Sequence, residues 1–320
     1  MPSSTPASQP ITPPRGRSAG AAWAVRLAWW TGWLLLALIS MIVTYGALVF
    51  VGRWRLAGSQ RLRHGSGFSA RLGAMPTRLV HLVVDAHDPA GLARFWASAL
   101  GWVIADETAE EVDVWPAGYS YPDPSAVPLV FVPVPEPKTG KNRVHLDLAT
   151  TSAADQTDLV MRLRELGATP AGIGQGDVPW AVLTDPEGNE FCVLEPRDIY
   201  RDTGRVAAIL TDCADPAALA RFWAEAAGWA VRRTEPDIAG LRAPAGTGPY
   251  LEFLRVPDRK SAKNRWHPDV APYRRDDAAA EVARLRRLGA ALTDVGQGDD
   301  VSWTVLADPE DNEFCVLSPR

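Results

Sequence analysis

Two stretches of the chain, DPEGNEFCVLEP at 185–196 and DPEDNEFCVLSP at 308–319, are identical at ten of twelve positions. They belong to a longer repeat. HDPAGLARFWASALGW (87–102) returns as ADPAALARFWAEAAGW (214–229), and KTGKNRVHLDLA (138–149) returns as KSAKNRWHPDVA (260–271). The order is kept at a period of roughly 125 residues, which marks duplication of a whole folding unit rather than of a short motif. Two like units in one chain can pack as the pseudo-symmetric equivalent of a homodimer.

Each copy carries the same local signals. A β-branched stretch, LVHLVVDA (79–86) or RVAAILTDC (205–213), reads as a strand. Asp88 or Asp215 then stands at an N-cap with Pro directly after it, and Gly101 or Gly228 supplies the stop. Leu92, Phe95, Trp96 and Ala99 fall at i, i+3, i+4 and i+7, which puts one helix face in a core. PLVFVPV (128–134) and PYLEFLRV (249–256) read as further strands. After the KNR segment comes a second set: a strand at VHLDLA, a helix near 153–166, and two closing strands joined by the turn 185–188. Each copy is thus two βαβββ-like modules, an α+β architecture, and the chain holds four modules.

The N-terminal part is different in kind. Residues 1–20 are rich in Pro, Ser, Thr and Gly and read as a disordered tail. No charged residue occurs from Leu27 to Gly52, and tryptophans 29, 30, 33 and 54 flank the apolar run. This predicts one transmembrane helix within 21–52, followed by a basic linker at 53–74. Five arginines follow the run and three precede it, which favours a cytoplasmic side for the C-terminal domains, 75–200 and 201–320. A start at Met75 would instead give a soluble cytoplasmic chain. Residues 1–74 hold eight arginines and no acidic residue, leaving a body of 25 basic and 38 acidic side chains. So acidic a body excludes a nucleic-acid surface. Three cysteines without a CxxC pair make neither a disulfide framework nor a zinc finger.

The pattern strand–DPxxLARFWAxxxGW–KxxKNRxHxDxx–helix–DPEGNEFCVL resembles the glyoxalase-like domains of the vicinal oxygen chelate superfamily, over 78–196 and again over 204–320. That superfamily includes glyoxalase I, extradiol dioxygenases and bleomycin-resistance proteins. The resemblance implies half-open barrels of two βαβββ modules. In the enzymes a divalent metal binds two substrate oxygens and stabilises a developing anion. It also implies ligand positions on the first and last strands of each module. In copy one these fall on His81, Val130, His145 and Cys192; in copy two on Ala208, Glu252, His267 and Cys315. Val130 and Ala208 cannot ligate, so the sets are His81, His145 and Cys192, and, weaker, Glu252, His267 and Cys315. Pro268 is expected to disrupt the strand beyond His267. Two imidazoles with a thiolate would suit Zn²⁺, although Fe, Mn or Ni are not distinguished, and the site could hold no metal at all.

Other residues carry two readings. Each cysteine sits among Phe, Val and Leu and also reads as a small core residue. Glu190, two residues before Cys192, is a candidate substitute ligand or general base, or simply part of the turn. Lys141 and Arg143 could capture an anionic substrate group, or hold a solvated crossover. Trp180 and Trp303 could wall a substrate pocket. Three functions follow: a membrane-anchored lyase, isomerase or dioxygenase acting on a small oxygen-bearing substrate through domain 1; a metal-free protein that binds or sequesters a small molecule; or a non-catalytic module tethered for a partner.

Overall fold

The computed structural model describes residues 77–296, 298 and 301–320. The tail, the expected membrane helix at 21–52 and the basic linker lie outside the described residues. Among the described residues no helix is long and apolar enough to cross a membrane.

Copy one contains β1 (Arg78–Ala86), α1 (Pro89–Leu100), β2 (Val103–Glu107), β3 (Val112–Trp115) and β4 (Leu129–Pro133) as its first module. Its second module is β5 (Val144–Leu148), α2 (Ala153–Glu165), β6 (Thr169–Pro170), β7 (Ala181–Thr184) and β8 (Glu190–Val193). Copy two repeats this order with β9 (Val206–Cys213), α3 (Pro216–Ala227), β10 (Ala230–Thr234), β11 (Ile238–Arg242) and β12 (Tyr250–Arg255). It ends with β13 (Trp266–Ala271), α4 (Ala278–Leu288), β14 (Ala291–Leu292), β15 (Thr304–Ala307) and β16 (Glu313–Val316).

The strands form two eight-stranded mixed sheets. Sheet I runs β14-β15-β16-β13-β1-β4-β3-β2, and sheet II runs β10-β11-β12-β9-β5-β8-β7-β6. Each sheet therefore joins the first module of one copy to the second module of the other. This corrects the expectation that each copy closes a half-open barrel of its own. The seams are antiparallel: β1 on β13, with His81 opposite Asp269, and β9 on β5, with Ala208 opposite Asp147. This interlacing is compatible with the expected pseudo-dimer. Pro268 does not interrupt β13, which pairs through it with Leu82.

Alternation along every strand separates two faces. Leu82, Val84, Val112, Val114, Leu129, Phe131, Val144, Leu146, Phe191 and Val193 join one continuous core with the helices, and copy two contributes the matching residues. Leu92, Phe95, Trp96 and Ala99 are buried there as the periodicity predicts. Edge-to-face contacts link Trp96 to Phe191 and, across the copies, to Trp266 at 5.5 Å between ring centroids. The other, inner face of each sheet carries the histidines, carboxylates and cysteines.

The duplicated DPE(G/D)NEF motif holds the architecture. Asp185 accepts from the Trp96 indole at 3.1 Å and from the backbone N–H groups of Glu187 and Asn189; Asp308 does the same for Trp223, Glu310 and Asn312. Glu187 accepts the N–H groups of His87 and Asp88 just before α1, where a carboxylate also complements the helix dipole. Glu310 does so before α3. The turn needs a left-handed residue: Gly188 has φ 82° and Asp311, its counterpart, φ 65°.

Candidate functional site

The inner face of sheet I gathers residues from both copies. His81 lies on β1, His267 and Asp269 on β13, and Cys315 on β16, opposite Asp269. His81 Nε2 lies 2.9 Å from Asp269 Oδ2. His267 Nε2 is 3.6 Å from Asp269 Oδ1 and 3.6 Å from Cys315 Sγ. His267, Asp269 and Cys315 each place one donor atom within 4.8 Å of the others. Asp269 Oδ1 and His267 Nδ1 are buried and lack hydrogen-bond partners.

Sheet II repeats the cluster with His145 and Asp147 on β5 and Cys192 on β8, again within 4.8 Å. The position of His81 is taken by Ala208, and Glu252 on β12 adds a carboxylate to the same face. Glu252 Oε2 accepts from the Tyr200 hydroxyl at 2.8 Å, while Oε1 makes no hydrogen bond and lies 3.8 Å from the Arg233 guanidinium. Tyr200 sits on a 3-10 turn, Asp198–Tyr200, in the segment that joins the copies, and packs with Tyr250, Trp180 and Cys192. Site II is thus covered by the connection between copies, whereas His81 in site I keeps 18% of its side chain exposed.

The sequence grouping is corrected by this geometry. His81 is not brought to His145 and Cys192; it meets His267, Asp269 and Cys315. Glu252 is not brought to His267 and Cys315; it shares the inner face of sheet II with His145, Asp147 and Cys192. The cause is the crosswise pairing of strands that share the His-X-Asp pattern, VHLDL and WHPDVA. Which copy each edge joins is decided by long-range contacts that no local signal carries.

Burial sets the electrostatics. It pushes His145 down to about 3, helped by Lys141 and opposed by Glu190, so the ring is neutral. Burial lowers His267 as well. Asp147 is pushed up to about 7 by burial and by the nearby Glu252. The 3.6 Å contact of His145 with Asp147 therefore joins two neutral groups between roughly pH 3 and 7. Burial also raises Glu252 and lifts both cysteine thiols well above their ordinary range. Neutral imidazoles and partnerless carboxylate oxygens suit a divalent cation, which would also stabilise the thiolate that burial disfavours.

Several expected site residues serve the framework instead. Glu190 accepts from Lys138 Nζ at 2.9 Å and from the Asn142 N–H at 3.1 Å, and Glu313 does the same for Lys260 and Asn264. Lys141 pairs with Asp212 of the other copy, and Lys263 with Asp85. Arg143 donates to the carbonyls of Asp212 and Asp258, and Arg265 to those of Asp85 and Glu136. The KNR segments thus stitch the copies together. Trp180 packs on the site II cluster beneath Arg197 and also lines a surface cleft with Gln156, Val160 and Pro179; Trp303 is 40% exposed.

Sequence reasoning missed Asp147 and Asp269. Their signal was present: HxD on a strand puts both side chains on one face, and it occurs in both copies. It also missed Asp113 on β3, pushed up to about 6 by burial and Glu111 against an opposing influence of His81.

The family model of the glyoxalase-like domain matches residues 81–194 and 208–317. Glyoxalase I from Zea mays superposes with a TM-score of 0.52 at 14% identity, covering 76% of this chain and 92% of that one. A putative dioxygenase from Bacillus subtilis subsp. subtilis str. 168 gives 0.50 at 12% identity, covering 77% and 86%. Both likenesses are of fold. No curated protein matches the chain. The two family matches fall on the two interlaced copies and span most of the sequence: the chain belongs to the glyoxalase-like domain family.

Proposed function

We propose that the chain is a divalent-metal-dependent enzyme acting on a small oxygen-bearing substrate, by lyase, isomerase or dioxygenase chemistry, at site I. The reading is carried by the convergence of His267, Asp269 and Cys315 with His81 hydrogen-bonded to the same aspartate. A bound cation would supply Lewis acidity toward a substrate oxygen. Asp269, accepting from His81 Nε2–H, fixes the ring's tautomer and leaves Nδ1 as its acceptor, the atom suited to take a substrate proton. Site I is favoured over site II because Tyr200 covers Glu252 in the latter. Glyoxalase I and a putative dioxygenase share the fold and lend support. A membrane tether through residues 27–52, with the domains facing the cytoplasm, is part of this proposal. It rests on the uncharged apolar run and the arginine excess after it.

Elemental mass spectrometry on the purified chain, prepared without a nickel step, tests the reading. Bound divalent metal is expected, with about one equivalent lost in His267→Ala/Cys315→Ser. Protein free of metal, and stabilised by small apolar ligands but not by metal ions, would replace the enzyme reading with the binding one.

A further inference from the structure

The two sites differ at one pair of neighbouring positions. In sheet II, Glu252 on β12 is paired with Gly240 on β11. A Cβ at 240 would lie 3.3 Å from Glu252 Oε1, so that space belongs to the glutamate. In sheet I the pair in the same register is Val130 on β4 and Asp113 on β3. Each sheet has one carboxylate in this pair, on opposite members of it.

By register, Asp113 lies on the same face of sheet I as the donor cluster. Directly opposed residues project to one face. Asp113 opposes Val130, Val130 pairs with Val83, and Val83 pairs with His267. The flanking Val112 and Val114 belong to the helix-side core, as alternation requires. Asp113 Oδ1 is buried and lacks a hydrogen-bond partner, and so is Glu252 Oε1.

Building on the cation-binding reading above, we propose that Asp113 serves the cation of site I as Glu252 serves that of site II, with its carboxylate reaching the donor cluster through bridging waters. Its strand is one further out from the cluster than that of Glu252, by about 4.8 Å, and its side chain is one methylene shorter, so waters rather than direct contact complete the reach.

Calorimetric titration of the full chain with Zn²⁺, together with melting curves, tests this. Wild type should bind at two sites. Asp113→Asn should weaken one of them about tenfold without lowering the melt of the metal-free chain, and Glu252→Gln should weaken the other. Asp113→Asn/Val130→Glu, which moves the acid to the strand used in sheet II, should restore the lost affinity. Unchanged affinities in Asp113→Asn, or failure of Val130→Glu to rescue, would overturn the assignment. If His267→Ala/Cys315→Ser abolishes a site that Asp113→Asn leaves intact, cation binding stands and Asp113 alone falls. Absence of Zn²⁺ binding in wild type overturns both.

Discussion

Site I and site II occupy equivalent places on equivalent strands, yet they are alike in only one half. The His-X-Asp pair and the cysteine come from a second module in each sheet, and these are the same. The other half comes from a first module and differs at every functional position: His81 against Ala208, Val130 against Glu252, Asp113 against Gly240. Because the modules are exchanged, a change in the first module of copy one alters site I only, and a change in its second module alters site II only. A duplicated chain woven this way holds a common donor core while tuning each site separately.

The difference extends behind the sheets, where it should show in stability. Trp266 is fully buried against Trp96 on the helix side of sheet I, and the equivalent residue in sheet II is Val144. Trp266→Ala should cost ~3–5 kcal/mol in denaturant unfolding. Val144→Ala removes two carbons and should cost ~1.6 kcal/mol. Equal costs would show that the two sheets rely on the shared core to the same degree, and the contrast drawn here would fail.

A smaller effect concerns protonation in site II. The Asp147 carboxyl, raised to about 7, keeps a proton in the folded chain that the unfolded chain releases near its ordinary 3.8. Its contribution to stability is therefore full below that value and lost as pH rises toward 7. His145 runs in the other sense, adding stability as pH rises from about 3 to its unfolded value of 6.5. Asp147→Asn isolates the first term because the amide stays neutral. Without metal, the variant should gain ~2 kcal/mol on wild type between pH 5 and pH 8, read as a growing difference in Tm. A difference flat across that range would mean that Asp147 is ionised in the fold.

The smallest effect separates the two copies of the turn. Asp311 holds φ 65° where copy one uses glycine. Asp311→Gly should stabilise by about 0.5 kcal/mol, since relief of the left-handed strain outweighs the extra freedom of the unfolded chain. A lower Tm would assign the Asp311 side chain a contact of its own.

The elements were legible in the sequence because their causes are local. Asp88 and Ser152 accept hydrogen bonds from the first turns of their helices, and Gly101 ends α1 at φ 69°. The glyoxalase-like fold was legible for the same reason, since its signature lies in those caps, turns and strands. The partner of each strand was not. β5 and β13 offer nearly the same edge to β1, and the choice rests on contacts such as Lys263 with Asp85, far apart in the chain. Glu190 and Arg143 looked chemical because their types are. Only their partners, Lys138 and the Asn142 N–H for one and carbonyls of copy two for the other, show them to be framework.

The seam between β1 and β13 also sets a schedule for synthesis. His81 and Asp269 are 188 residues apart. At ribosomal rates of roughly 5–20 residues per second, β1 emerges ~10–40 s before the strand that covers its edge. During that interval the nascent first module carries an unpaired edge and half of a donor cluster. Premature pairing of β1 with β5 in its own copy is then the competing outcome, so a chaperone or slow local folding of β5 would favour the native weave.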